Sequence, residues 1–230
     1  MRSVVRASVL ALACLLPLAA CKAPGGLGAE ESPPSSDGMA TTDMPPFVTE
    51  IDGADLAAQI EALTVAEEAD AGYDRSLFPH WRDDDDNGCD ARDDVLVAQD
   101  LSGNLTAGDC GETMSGEWMS MYDGETVTES GDLDIDHFVP LKEAWGSGAG
   151  DWTTEDRQAY ANSLEQPWHL VAVTASSNRS KSDKDPADWM PTDETVWCAY
   201  IWAWTQVKTE WDLSVDEAEQ AALLEYAAAC

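Results

Sequence analysis

Asp134-Ile135-Asp136-His137-Phe138-Val139-Pro140-Leu141 is the stretch on which the reading of this chain turns. An Asp beside a His on an extended segment sends the two side chains to opposite faces of a flat strand. Near a strand end or a bulge they can instead converge, one ligating a metal ion while the other acts as a base. A second informative stretch lies further along, Ser176-Ser177-Asn178-Arg179-Ser180-Lys181-Ser182-Asp183-Lys184-Asp185-Pro186. It directly follows His169–Thr174, which reads as a strand from its β-branched content and length. The order is therefore strand, insertion, strand, short helical segment.

Together, D-x-D-H-x-x-P and N-R-x-K-x-D resemble the HNH, or ββα-metal, endonuclease family. The pair is especially similar to the HNH module of RNA-guided CRISPR nucleases and to the GmrSD-type group of small secreted HNH proteins. The resemblance to the secreted group extends from about Tyr73 to Cys230, and includes Asn87-Gly88-Cys89-Asp90-x-Arg92 and the Trp- and Cys-bearing C-terminal segments. It implies an α+β fold with a ββα-metal core, flanking helices and a C-terminal helical pair. It also implies that Asp136 and Asn178 ligate one divalent metal ion, with Asp134 as a ligand or supporting acceptor, and that His137 is the general base. Arg179 and Lys181 would fall near the scissile phosphate, with Lys184, Arg92 and Arg75 as further contacts to nucleic acid. His169 stands where many members carry an Asn, and its expected role is structural before catalytic.

The chemistry is consistent with that resemblance. A neutral His can accept a proton near pH 7, and a divalent ion can polarise a phosphate and stabilise the leaving oxygen. An Asp carboxylate with an Asn amide oxygen suits Mg²⁺ or Mn²⁺ better than zinc. The chain has only three histidines, His80, His137 and His169, too few to favour a zinc site. The expected activity is endonucleolytic cleavage of DNA, with RNA also open and little sequence specificity, by a monomer. The other reading is a lipoprotein of HNH-like fold without activity, binding calcium or a partner.

Composition opposes this expectation at first sight. Of 230 residues 45 are acidic and 12 basic, a formal net charge of −33, whereas proteins that bind phosphates usually carry a basic surplus. An acidic surface that keeps the protein soluble is the plainer explanation. Ten tryptophans and 44% hydrophobic residues are enough for a core and exclude wholesale disorder. A bound cation, with Arg179, Lys181 and Lys184 in one cluster and Arg75, Arg82 and Arg92 in another, could create local positive potential within the acidic whole.

Residues 1–21 have the layout of an export signal, with Arg2 and Arg6 ahead of an apolar stretch too short to span a bilayer. Leu18-Ala19-Ala20-Cys21 resembles a bacterial lipobox, which would lipidate Cys21 and anchor the protein at the cell surface; a plain secretory signal is the alternative. Residues 22–46 read as a disordered spacer and 47–72 as an N-terminal helix region, with a helix over Asp55–Ala69; the nuclease-like domain occupies 73–230. The remaining Cys89, Cys110, Cys198 and Cys230 read as two disulfides of an exported protein, with three possible pairings. Short local loops favour Cys89–Cys110 and Cys198–Cys230.

Further helices are expected near Arg92–Gln99 and Thr154–Leu164, the latter capped by Thr153 or Thr154, with a hairpin around Asp123-Gly124. Trp197, Ile201, Trp204, Lys208 and Trp211 recur at helical steps, and Ser214-x-x-Glu217 reads as a capping box before a last helix. Finally, Asp83, Asp85, Asn87 and Asp94 fall in the register of a calcium loop. An acidic turn stapled by Cys89 explains the same residues, and the family resemblance would instead put Asp90 and Arg92 beside the active site.

Overall fold

A computed structural model describes residues 51–111 and 113–230. The signal, Cys21 and the spacer lie outside the described residues. The fold is mixed α+β, with seven α-helices, two two-stranded antiparallel sheets and two disulfides among these residues.

The second sheet organises the centre. Strand β3 (Leu133–His137) pairs with β4 (Leu170–Thr174), in a register that sets Asp134 opposite Val173, Asp136 opposite Val171 and His137 opposite Leu170. The connection carries helices α3 (Leu141–Gly146) and α4 (Thr154–Ala161), and α5 (Ala175–Lys181) begins where β4 ends, capped by Thr174, which accepts from Ser177 N. Because strand side chains alternate, the pair separates two cores. Leu133, Ile135, Leu170 and Ala172 face a smaller core with Trp118 of β1 (Ser115–Met119) and with Val95 and Leu96 of α2 (Ala91–Ala98). Val171 and Val173 face the main core with Tyr122, Phe138, Tyr160, Tyr200 and Trp204. β1 pairs with β2 (Thr126–Glu129) as the expected hairpin, whose turn places Gly124 at φ +71°.

Helices α1 (Gly53–Ala62), α6 (Trp197–Glu210) and α7 (Glu217–Ala227) complete the main core. Leu56 and Ile60 of α1 are buried in it with Leu223 and Ala227 of α7, so the N-terminal helix shares the core of residues 73–230. Gly53 permits a close approach there: a Cβ at this position would lie 2.5 Å from the Ala227 carbonyl oxygen. The favoured disulfides form, Cys89–Cys110 and Cys198–Cys230, the second tying α6 to the chain end. Trp204 is fully buried and Trp211 packs against the core, as an aromatic stripe at helical spacing should.

Three element boundaries differ from expectation. The first helix stops at Ala62 and the chain continues extended, with Val65 bridging Val215 and Ala69 N donating to Gly146 O. Glu67, Glu68 and Asp70 would have crowded a helix C-terminus with negative charge, where the helix dipole disfavours it. Helix α4 ends at Ala161, three residues short, because the Asn162 side chain turns back to Gln158 O and across to Pro79 O. The cap of α7 is Asp216, which accepts from Glu219 N, since Ser214 Oγ donates to Ser147 O instead.

Candidate functional site

Asp134 and Asp136 share the face of β3 that looks onto α5, and α5 answers with Asn178 and Lys181, three residues apart and so on one side of the helix. Asp136 is 7% exposed, and its Oδ2 accepts from Lys181 Nζ at 2.6 Å and from Tyr122 OH at 2.7 Å. Lys181 also donates to His137 O at 3.1 Å. Burial pushes the Asp136 carboxyl above its usual range, while Lys181 and Tyr122 hold it back. The same burial lowers the Lys181 ammonium against the pull of Asp136. Both bonds fall on one carboxylate oxygen, which fixes the orientation of the other.

Beside this pair, Asn178 Nδ2 donates to Asp134 Oδ2 at 3.1 Å. An amide whose nitrogen is committed in this way presents its carbonyl oxygen Oδ1 elsewhere. Arg179 Nε lies 3.9 Å from the same Asp134 oxygen, with the side chain largely exposed.

His137 leaves β3 on the opposite face, as the alternation of a regular strand requires, and no bulge brings it round to Asp136. Its Nε2 lies 2.9 Å from Ala161 O. A carbonyl only accepts, so Nε2 carries the hydrogen and Nδ1 holds the lone pair. Burial, foremost, takes the imidazole well below its ordinary pKa, so the ring is neutral at pH 7. It lies between Trp81, at 5.5 Å between ring centroids, and Tyr160, at 6.5 Å. Exposed Arg75 acts weakly, through charge, on both Asp136 and His137. The arrangement can do three things: orient two hard oxygen donors, present an imidazole lone pair, and offer one exposed cation nearby.

Other expected site residues are placed differently. Lys181, expected beside a phosphate, has no exposed surface and is committed to Asp136 and His137 O. His169 donates Nε2–H to Tyr160 O at 2.7 Å, its Nδ1 is buried without a partner among the described residues, and burial lowers its pKa to about 4. That is a ring sealed into the core. Arg92 links α2 to the turn before β3, with Nη2 donating to Ser130 O and Nη1 3.4 Å from Asp93. Lys184 is exposed and donates to Ser180 O. In the acidic loop Asn87 N and Gly88 N donate to Asp83, and Asn87 Nδ2 donates to Asp85 and Asp94. Among the described residues the three-carboxylate cluster with oxygens mutually within 4.8 Å is Glu68, Glu143 and Glu219, and there Lys208 already bonds Glu143 and Glu219.

Sequence reasoning missed Tyr122, Trp81 and Tyr160, which touch Asp136 or His137 from elsewhere in the chain, and Asn162, which bonds the residues on either side of His80-Trp81. Nothing in the local sequence around Tyr122 distinguishes it from a core aromatic. A cavity of about 560 Å³ lies elsewhere, lined by Val95, Leu101, Trp118 and Leu164 with Asp85 and Asp94. Its lining holds no basic residue.

Comparison with known proteins places the chain among relatives at the level of family. An uncharacterized secreted protein of Arthroderma benhamiae is 46% identical over 152 residues, 66% of this chain and 72% of the relative. No solved structure matches, and no helix among the described residues is long and apolar enough to cross a membrane. Residues 82–226 match the family described as GmrSD restriction endonucleases, C-terminal domain. They span β1 to β4 and α5, all of the residues that orient Asp136, Asn178 and His137 except those of the Trp81 segment. With more than half of its length matched, the chain belongs to the GmrSD restriction endonuclease C-terminal domain family.

Proposed function

We propose that this protein is a metal-dependent endonuclease of the HNH type, hydrolysing phosphodiester bonds of DNA, and of RNA as a second substrate, with little sequence specificity. In this reading β3, β4 and α5 are the ββα core. The observation that carries it is the directed pair of free acceptor positions: the bonds made by Asp136 Oδ2 and Asn178 Nδ2 leave their other oxygens to a metal ion, and the bond made by His137 Nε2 leaves Nδ1 to a water.

The donor set fits a hard divalent cation. Asp136 and Asn178 supply oxygen ligands, with Mg²⁺ or Mn²⁺ better matched than zinc. The ion would polarise the phosphate and stabilise the leaving oxygen. Asp134 orients the Asn178 amide, while Lys181 and Tyr122 orient the Asp136 carboxylate, as outer partners of metal ligands do. His137, neutral and held by Ala161 O, takes a proton from water at Nδ1. Arg75, exposed and felt electrostatically by both groups, would be a cation for the phosphate. The secreted relative supports an extracellular location, and Cys21, if lipidated, would tether the enzyme at the cell surface as a monomer.

The test is cleavage of plasmid and of single-stranded circular DNA by the full chain. Cleavage should require Mg²⁺ or Mn²⁺, stop with EDTA and be lost in His137→Ala. Absence of cleavage with every divalent ion, together with stabilisation by Ca²⁺, would replace this reading with that of a calcium-binding module built on the Asp83–Asp94 loop.

A further inference from the structure

Trp81 holds a backbone conformation that bulky residues avoid. Its φ is +57°, in the left-handed region, and such a conformation persists only where the surroundings impose it. Asn162 imposes it here. This buried amide donates from Nδ2 to Pro79 O at 2.7 Å and accepts at Oδ1 from Arg82 N at 2.9 Å, so one side chain clamps both residues that flank His80-Trp81. Arg82 O in turn accepts from Ala91 N at the start of α2. The effect of the clamp is placement: the indole centroid lies 5.5 Å from that of His137, tilted by 36°, and the residue stays partly exposed.

A chain with 45 acidic and 12 basic residues has little charge with which to neutralise phosphates, so counterion release contributes little to its affinity for nucleic acid. Stacking on an aromatic plane does not depend on that charge. It accepts every base and requires that the base face be free of its own helix stack. The geometry points to Trp81 as a stacking platform for an unpaired base beside His137, which makes single-stranded nucleic acid the substrate class. The inference rests on the reading of the His137 surroundings as a nuclease site. Arg75 and Arg82 are exposed on the same segment and are the cations available to the flanking phosphates. A closed duplex keeps its base faces in the stack and offers Trp81 only edges.

The test is binding, followed by fluorescence anisotropy with the full chain in EDTA so that cleavage does not intervene. The probes are a labelled single-stranded oligonucleotide, its duplex, and a strand of the same length with abasic sites. The single strand should bind about tenfold or more tightly than the other two, and Trp81→Ala should weaken it by about ten- to hundredfold, with Trp81→Phe losing less than about fivefold. Equal affinity for base-bearing and abasic strands overturns the inference, as does Trp81→Ala protein that binds like the wild type. If Trp81→Ala fails to fold, the comparison of ordinary and abasic strands on the wild type decides alone. Base-dependent binding in EDTA, with no cleavage of the same strand once Mg²⁺ or Mn²⁺ is supplied, would remove the nuclease reading and leave the platform standing; no binding to any strand removes the platform.

Discussion

Replacing Lys208 by methionine tests the ionic network that joins the elements around the core. Lys208 is fully buried on α6, and its Nζ donates to Glu143 Oε1 of α3 at 2.6 Å, Glu219 Oε2 of α7 at 2.9 Å, Ser147 Oγ at 2.8 Å and Ser214 O at 2.8 Å. Burial acts to lower the Lys208 ammonium, and Glu219 and Glu143 overcome it. Removing the cation leaves two carboxylates in the interior without their counter-ion, which costs about 3–5 kcal/mol. For a domain of this size that lowers Tm by roughly 6–20 °C.

The pH dependence has a definite sign. Burial pushes the Glu219 carboxyl up to about 7 with Lys208 pulling back. The folded value exceeds the ordinary 4.5, so the folded state binds more protons than the unfolded one. The stability it contributes is fully present below the ordinary value and is lost as pH rises through 7. For Glu219 the difference is on the order of 3 kcal/mol. In Lys208→Met nothing pulls Glu219 back, so its proton is retained to higher pH and the loss continues further. Circular dichroism melts should therefore show a small deficit near about pH 5 that grows towards about pH 8. Glu219→Gln added to Lys208→Met removes one unpaired charge and should restore part of the lost Tm. A Lys208→Met protein within about 2 °C of wild type at every pH, or one whose deficit is larger in acid, would refute the reasoning.

Lys181→Met leaves Asp136 buried and unpaired, so its cost is about 3–5 kcal/mol and appears in the melting temperature, whereas Arg179→Ala at an exposed position should shift Tm by less than about 2 °C; equal effects in thermal melts would contradict the burial of Lys181. Removing the Cys198–Cys230 disulfide opens a loop of sequence separation 32 and should lower stability by roughly 2–4 kcal/mol in denaturant titration. Because the formal net charge is −33, cleavage rates measured from low to moderate salt should hold or rise as distant acids are screened. A steep fall of the kind shown by basic nucleases would mean that phosphate neutralisation dominates after all.

Much of the proposed site was legible because it lies in two short, self-contained stretches. Asp134 and Asp136 share one face of one strand with His137 on the other, and Asn178 and Lys181 share one side of one helix, so local periodicity already sorts them. The roles within the groups were less legible. Lys181 looks like a phosphate-binding lysine in sequence, and only burial turns it into the partner of Asp136. The acidic loop has calcium spacing, and the bonds of Asn87 N, Gly88 N and the Asn87 amide to Asp83, Asp85 and Asp94 within it are not visible from spacing alone. Tyr122, Trp81 and Asn162 carry no local mark, since each acquires its part from a neighbour far away in the chain.

The sequence by itself determined the α+β composition, the favoured pairing of its four cysteines, the helices that carry periodic apolar faces and the two motif stretches that carry the family resemblance. These follow from spacing and side-chain type, which act over a few residues. The tertiary structure decided which oxygen of Asp136 is committed, which nitrogen of His137 keeps its lone pair, and which cations stay at the surface. Those depend on what lies across the fold: a tyrosine from the β1–β2 turn, a carbonyl from the end of α4, and the depth of burial that sets whether a charge meets water or another charge.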